Sequence, residues 1–342
     1  MNYILKDENA LFFECGFSCD HALFLKLGSE AFFITDARYT TEASQIIQSA
    51  TVLEGDRRDL LKTARLLIRK SGIKRISYNP SEWSVDAFGR LSEKLRIDFQ
   101  KKPNFSQEKR IIKEEKELAL LRQAAVYGKD AFHRFGEFLK HDGLGLDEKM
   151  CHFEAEAIFK YRGQLGLSFS PIVAFGANAA KPHALPSSKN LSKHELVLLD
   201  AGVKYERYCS DRTRTAFYDE NFAFEKAQTF SDSLTQKVYD TVLKAQEAAI
   251  KAVKVGVRAS AIDKAAREVI EDAGFGSYFV HSTGHGVGLD IHELPVISTR
   301  SNTIIEEHMV FTIEPGIYLP EQLGVRIEDT IIVRDFGAEV ID

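Results

Sequence analysis

Residues 194–211 read HELVLLDAGVKYERYCSD. Leu196 to Leu199 is an unbroken apolar run, the pattern of a strand buried on both faces, and it delivers one aspartate, Asp200, directly before Ala201 and Gly202. A second aspartate, Asp211, opens a run that alternates in strand fashion. Residues 201–205 are expected to turn the chain back, so that two paired strands bring both carboxylates to one level. Two carboxylates a few ångströms apart repel by roughly 4 kcal/mol at an effective dielectric near 20. A fold keeps such a pair where the two share a proton or hold a cation.

The same grammar returns near the end of the chain. Residues 309–313 form a second apolar run, which delivers Glu314 just before Pro315 and Gly316. Glu328 follows in GVRIEDTIIV (324–333), with Arg326 two residues earlier on the same strand face. Between the two hairpins lies HSTGHGVGLDIHE (281–293), the richest cluster of His and Gly in the chain.

The 342 residues suffice for two domains, and 44% hydrophobic with 28% charged residues is the composition of a soluble globular protein. A net charge of −5 gives nucleic-acid binding no support. The N-terminus lacks a signal-peptide pattern and no run approaches the length of a membrane span, which leads us to expect a cytoplasmic protein with no membrane partner. The four cysteines show no paired spacing and read as free thiols; Cys209 should share a strand face with Asp211.

Residues 1–105 read as an α/β domain. HALFLKL (21–27) and EAFFIT (30–35) flank a Gly28-Ser29 turn as a hairpin. Helices are expected over 38–48, 56–71 (stopped by Gly72) and 81–95, and strands over 51–54, 74–79 and 96–100. His21, Asp36 and Arg38 sit at strand and turn boundaries and read as structural. Residues 101–105, with Pro103, mark a boundary, and a second domain is taken as 108–342. It opens with a helical pattern of Leu118, Leu121, Ala125, Phe132, Phe135 and Leu139, read as a core-packed helix. An internal repeat follows, each copy a helix, a helix, a strand and a hairpin, with the strand of the first copy expected through PIVAFGANAAKPHA (171–184). Gly145 matches Gly256, Gly163 matches Gly274, Asp200 matches Glu314 and Asp211 matches Glu328, at a nearly constant offset of 111 to 117 residues. Two copies about a pseudo-two-fold axis would present all four carboxylates to one central cleft.

Burying four uncompensated anions would cost more than a domain's net stability of about 5–15 kcal/mol. Two divalent cations bridged by carboxylates remove that cost. An oxygen-rich donor set with one imidazole, His285, favours manganese, cobalt, iron or zinc. Two metals about 3.5–4 Å apart suit metal-assisted hydrolysis.

Five segments, LLDAG, YCSDRTRT, STGHGVGLDIHE, TIEPGIY and VRIED, stand in the order and spacing of the M24-type metallopeptidases with the pita-bread fold. These include methionine aminopeptidases, prolidases and Xaa-Pro aminopeptidases, with creatinase as a relative. The resemblance covers 108–342, and FFITDARYTTEA (32–43) resembles the creatinase-type N-terminal domain of the proline-specific members. It implies a creatinase-like α/β domain followed by a pita-bread domain with an internal pseudo-two-fold repeat. It also implies a dinuclear site, with manganese the first choice of metal: Asp200 on the first metal, His285 and Glu314 on the second, and Asp211 and Glu328 as bridges. Glu314 would handle a water proton as well. His183 in NAAKPHA would contact the substrate amide, His292 would line the proline subsite, His281 would be a further pocket histidine and Arg326 would steady the carboxylates. Ser282 and Phe175 depart from residues frequent in the family, at positions that are not ligands.

The resemblance further implies a homodimer acting on peptides with proline second, as an aminopeptidase that releases the first residue. The alternative is a prolidase acting on Xaa-Pro dipeptides, which needs a cation for the free carboxylate that the sequence does not place. A methionine aminopeptidase is disfavoured by the N-terminal domain, and creatinase by the full ligand set. A non-catalytic binding module is the remaining, remote alternative.

Overall fold

The computed structural model describes residues 1–341, which divide into two compact units, Met1–Arg110 and the chain from Ile111 onward. In the first unit the strands lie in the order Thr51–Glu54, Glu30–Thr35, Ala22–Leu27, Tyr3–Leu5, Arg75–Tyr78, Asp98–Lys101. The hairpin around Gly28 is antiparallel, and the outer strands on both sides join in parallel. Tyr3–Leu5 is too short to show a period in sequence, yet it lies inside the sheet and carries a fully buried Ile4. The helix expected from 56 begins at Leu60, because Asp56 and Asp59 close a turn first. The one expected over 81–95 is divided: Pro80–Glu82 makes a 3₁₀ turn, and Val85–Ser92 starts afresh with Ser84 accepting from the Ala87 N–H. Asp36 is buried, accepting from Arg38 through both oxygens and lying 2.7 Å from His21 Nδ1.

The second unit repeats one plan. Helices Glu115–Phe138 and Glu148–Phe159 precede strands Ile172–Phe175, Glu195–Ala201 and Arg212–Tyr218, which form a three-stranded antiparallel sheet with Glu195–Ala201 in the middle. Helices Ser233–Ala252 and Ala259–Asp272 precede Gly284–Gly286, Val310–Ile313 and Asp329–Arg334, the three inner strands of a five-stranded sheet. The matched glycines do matched work. Gly145 and Gly256 have φ of 84° and 87°, Gly163 and Gly274 have 95° and 86°, all in the left-handed region that an L side chain resists. This is the pita-bread architecture with its internal repeat.

The apolar run is buried on both faces because it separates two cores. Val197 and Leu199 pack with Phe132, Phe135 and Phe159 of the first helix pair. Leu196 and Leu198 pack with Val238, Val242 and Ile262 of the second. Asp200 continues the Leu196–Leu198 face and therefore points toward the second half.

The expected reversal after Asp200 is corrected. The chain does not reverse within 201–205. Val203–Tyr205 pairs with Tyr208–Cys209, and the turn falls at Glu206 and Arg207, with φ of 46° and 74°. Asp200 stands opposite Thr213, and Asp211 lies just before Arg212–Tyr218, in the gap between two ladders. The strand expected through 171–184 also ends early, at Phe175, where Gly176–Ala180 turns as a 3₁₀ segment. No helix among the described residues is long and apolar enough to cross a membrane.

Gly284 marks the closest approach on the site-bearing strand, for a β-carbon there would lie 1.9 Å from the Thr312 carbonyl oxygen. At Gly136 the nearest atom would be Phe224 Cδ2 at 3.7 Å, an ordinary contact on a helix. Gly284→Ala should therefore destabilise the protein by about 3 kcal/mol or more. Gly136→Ala should be neutral or stabilising by up to about 1 kcal/mol. Urea unfolding midpoints of the two variants check the contrast.

Candidate functional site

Each of the five candidate ligands sits at or beside a strand end in the second unit. Asp200 is the penultimate residue of Glu195–Ala201, Asp211 directly precedes Arg212–Tyr218, and His285 is the middle residue of Gly284–Gly286. Glu314 directly follows Val310–Ile313, and Glu328 directly precedes Asp329–Arg334. Ligand atoms of Asp211, His285 and Glu328 all lie within 4.8 Å of one another. His285 Nε2 is 3.3 Å from Glu314 Oε1 and 3.6 Å from Asp211 Oδ2. His285 Nδ1 lies 3.1 Å from the Gly286 carbonyl, a pure acceptor. That contact puts the proton on Nδ1 and presents a bare Nε2 to the carboxylates.

Arg326, 3% exposed, joins the cluster to the cleft wall. Its guanidinium donates to Asp200 Oδ2 at 2.6 Å, Thr213 Oγ1 at 3.0 Å, Tyr318 Oη at 2.8 Å and the Pro182 carbonyl at 3.1 Å. Thr213 Oγ1 donates in turn to Glu328 Oε2 at 2.6 Å. His281 Nδ1 faces the Ser282 carbonyl at 2.7 Å and must be the donor there, so its Nε2 accepts from the Tyr318 hydroxyl at 2.9 Å. His183, His281, His292 and the five candidate ligands line one cavity of about 520 Å³, with Phe169, Leu185 and Ile291 among its apolar walls. The His292 ring meets the His285 ring edge to face at a centroid distance of 4.2 Å.

Thr213, Tyr318, Arg214 and Asp329 were not singled out in the sequence. Arg214, 0% exposed, donates to the carbonyls of Thr213 and Glu328 and to Asp329 Oδ1, the last at 2.6 Å. Asp329 also accepts from Gln246 and from Lys226. The available signal was the alternation RTRT after Asp211, which puts Thr213 and Thr215 on one strand face and Arg214 on the other. Only the packing of the two halves supplies Arg214 with its partner.

The donor set fits a divalent cation. Asp200 Oδ1 is buried and has no hydrogen-bond partner among the described residues. Burial first, and then the charge of Glu328, push Asp211 well above the usual carboxylate range. Burial and the charges of Glu314 and Asp200 do the same to Glu328. Burial pushes Glu314 up to about 8, against the pull of Arg326. Burial lowers His281 to about 4 and also lowers His285 and His292, so the imidazoles are neutral. Without a cation the cluster holds protons; with one, cation–oxygen contacts replace them.

These shifts set a sign for stability. A carboxyl raised above its unfolded value of roughly 4 stabilises fully below that pH, and the contribution is lost as pH climbs through the folded value. The lowered histidines act oppositely, but their change is complete above about pH 6.5. Between about pH 6.5 and 8 the melting temperature of chelator-treated protein should therefore fall, less steeply in Glu314→Gln, while metal-loaded protein stays level. Thermal denaturation across that interval checks this, and a rise in the chelator-treated protein would contradict it.

Residues 119–335 match the sequence profile of metallopeptidase family M24. An uncharacterized peptidase, YqhT, of Bacillus subtilis strain 168 is 35% identical over 327 residues, 95% of this chain and 89% of that protein. The structure of an Xaa-Pro dipeptidase from Bacillus anthracis superposes with a TM-score of 0.90 at 32% identity, covering 99% of this chain and 92% of that one. The X-Pro aminopeptidase of Thermotoga maritima superposes at 0.85 with 30% identity, covering 99% and 94%. Peptidases of this family use divalent metals, in keeping with the donor cluster. The chain belongs to metallopeptidase family M24 and is a peptidase, a hydrolase built on the pita-bread fold.

Proposed function

We propose that the chain hydrolyses the Xaa-Pro bond of peptides, releasing the first residue, at a site that holds two divalent metal ions. The observation that carries this reading is the joint lining of one cleft by four carboxylates and by His183, His281, His285 and His292. Asp200 would hold one ion, His285 and Glu314 the other, with Asp211 and Glu328 between them. Manganese suits the oxygen-rich set best, with cobalt, zinc or iron as alternatives. When bound, the ions would polarise the scissile carbonyl and lower the pKa of a water.

The chain's own groups do the rest. The Glu314 carboxylate takes a proton from the attacking water and returns it to the departing nitrogen. That nitrogen belongs to proline, so the bond is a tertiary amide without an N–H. His183, at the cleft wall, contacts the substrate amide, His292 lines the proline subsite and assists the carbonyl, and His281 is a further histidine of the pocket. Arg326 fixes Asp200, Thr213 and Tyr318 relative to one another. Homodimer assembly and a cytoplasmic location remain parts of this reading that rest on the resemblance and the sequence.

Substrate length separates the two proline-specific readings. Arg326 is the one lysine or arginine among the described residues lining the cleft. Four of its five N–H donors are engaged, so it offers little to a dipeptide's free carboxylate. This favours tripeptides and longer substrates. Dipeptidase activity is the second reading, supported by the similarity to the Bacillus anthracis Xaa-Pro dipeptidase.

Chelator-treated protein resupplied with manganese, cobalt, zinc or iron(II) should cleave Ala-Pro-Ala after its first residue and leave Met-Ala-Ser intact. Cleavage of Ala-Pro alone would establish the dipeptidase reading. Inactivity with every metal, despite stoichiometric binding, would move the assignment to a binding module. Asp211→Asn should lose bound metal and turnover together, and undiminished values of both would sink the ligand assignment. His183→Ala should lower turnover with metal content kept.

A further inference from the structure

The loop that carries His183 is closed from outside the cleft. Glu148, the first residue of helix Glu148–Phe159, is 0% exposed. Its Oε1 accepts from the Phe175 N–H at 2.7 Å, and its Oε2 accepts from the Ser187 N–H and from Asn178 Nδ2, each at 2.7 Å. All three donors come from the one segment 175–187. Asn178 spends its second N–H on the Leu185 carbonyl at 3.1 Å, and its own oxygen accepts from Lys181 Nζ at 3.0 Å. Across the loop, Arg326 holds the Pro182 carbonyl. The backbone is thus pinned at Pro182, immediately before His183, and at Leu185 and Ser187 just after it. The His183 ring lines the cleft and makes no hydrogen bond among the described residues. A wholly buried carboxylate is costly unless its oxygens are satisfied, and here the satisfaction comes entirely from this loop.

We propose that Glu148 is a positioning residue for turnover: it clamps the 175–187 loop so that an otherwise untethered His183 ring is held where the substrate amide passes. The inference rests on the peptidase reading for the role of His183, whereas the clamp stands on geometry alone. An Asp147 side chain caps the same helix through the Met150 N–H, so the carboxylate of Glu148 is not needed for that cap. Leu185 is 82% exposed, whereas Ala179 and Ala184 are buried in the core, so the loop is anchored at its alanines and these hydrogen bonds fix the stretch between and beside them.

Glu148→Gln keeps the shape and replaces one acceptor by a donor that faces an N–H. With metal content unchanged, kcat/KM on Ala-Pro-Ala should fall about ten- to a hundredfold, mainly in kcat, as expected for a misplaced catalytic group. In a His183→Ala background the same substitution should change the rate by less than about twofold, because coupled residues are not additive. Amide hydrogen exchange over 175–187 should accelerate in Glu148→Gln with the helix cores unchanged. Asn178→Ala, which removes one clamp donor and spares the buried carboxylate, should shift both readouts the same way by a smaller amount and serves if Glu148→Gln does not fold. Equal rate losses in the presence and absence of His183, or unchanged exchange over 175–187, would overturn the proposal. Wild-type protein inactive on every Xaa-Pro peptide would overturn the proline-specific reading, and accelerated exchange would then still establish the clamp.

Discussion

Mutual repulsion among buried carboxylates is the constraint around which the second unit is arranged. Asp200, Asp211, Glu314 and Glu328 converge from two halves of the chain with two guanidinium groups at hand. Arg326 is bonded to Asp200, and Arg214 is taken up by Asp329 and two carbonyls. The internal positive charge is too small for the anions present, and burial amplifies the mismatch because low dielectric strengthens every unscreened pair. The raised carboxyls and the orphaned Asp200 oxygen are two expressions of one deficit. A divalent ion held by these oxygens would offset it.

The repeat explains how a chain can afford such a cluster. Each half is stabilised by its own helix pair packed on its own sheet, with left-handed glycines closing the corresponding turns. The strand ends that meet between the halves are thereby free to carry residues that oppose stability. Functional chemistry is confined to those ends, while Leu196 to Leu199 and their counterparts do the packing.

Much of this was legible in the sequence because it depends on local pattern. An apolar run that ends in an acid marks a strand end, and its recurrence at a fixed offset exposed the repeat. Expectations faltered where a tertiary approach overrides local pattern. The reversal after Asp200 falls later than the Ala-Gly pair suggests, because Gly202 passes against the Ser210 carbonyl and the chain continues extended to Tyr205. The strand through Phe175 stops early because its next residues answer to Glu148, a partner from a separate helix. Arg214, Thr213 and Tyr318 owe their roles to partners in the other half, and no spacing rule places a buried arginine against an aspartate 115 positions away.

The bonds that cross between the halves also shape how the molecule comes into being. Thr213 reaches Glu328 over a separation of 115 residues, and Arg326 reaches Asp200 over 126. Such distant contacts are made only after both sheets have formed, because loop closure must be achieved before they contribute. A half-made chain offers an incoming ion at most two of the carboxylates and no shielding from water. A metal held by carboxylates from both halves would accordingly bind only once the two sheets stand in place.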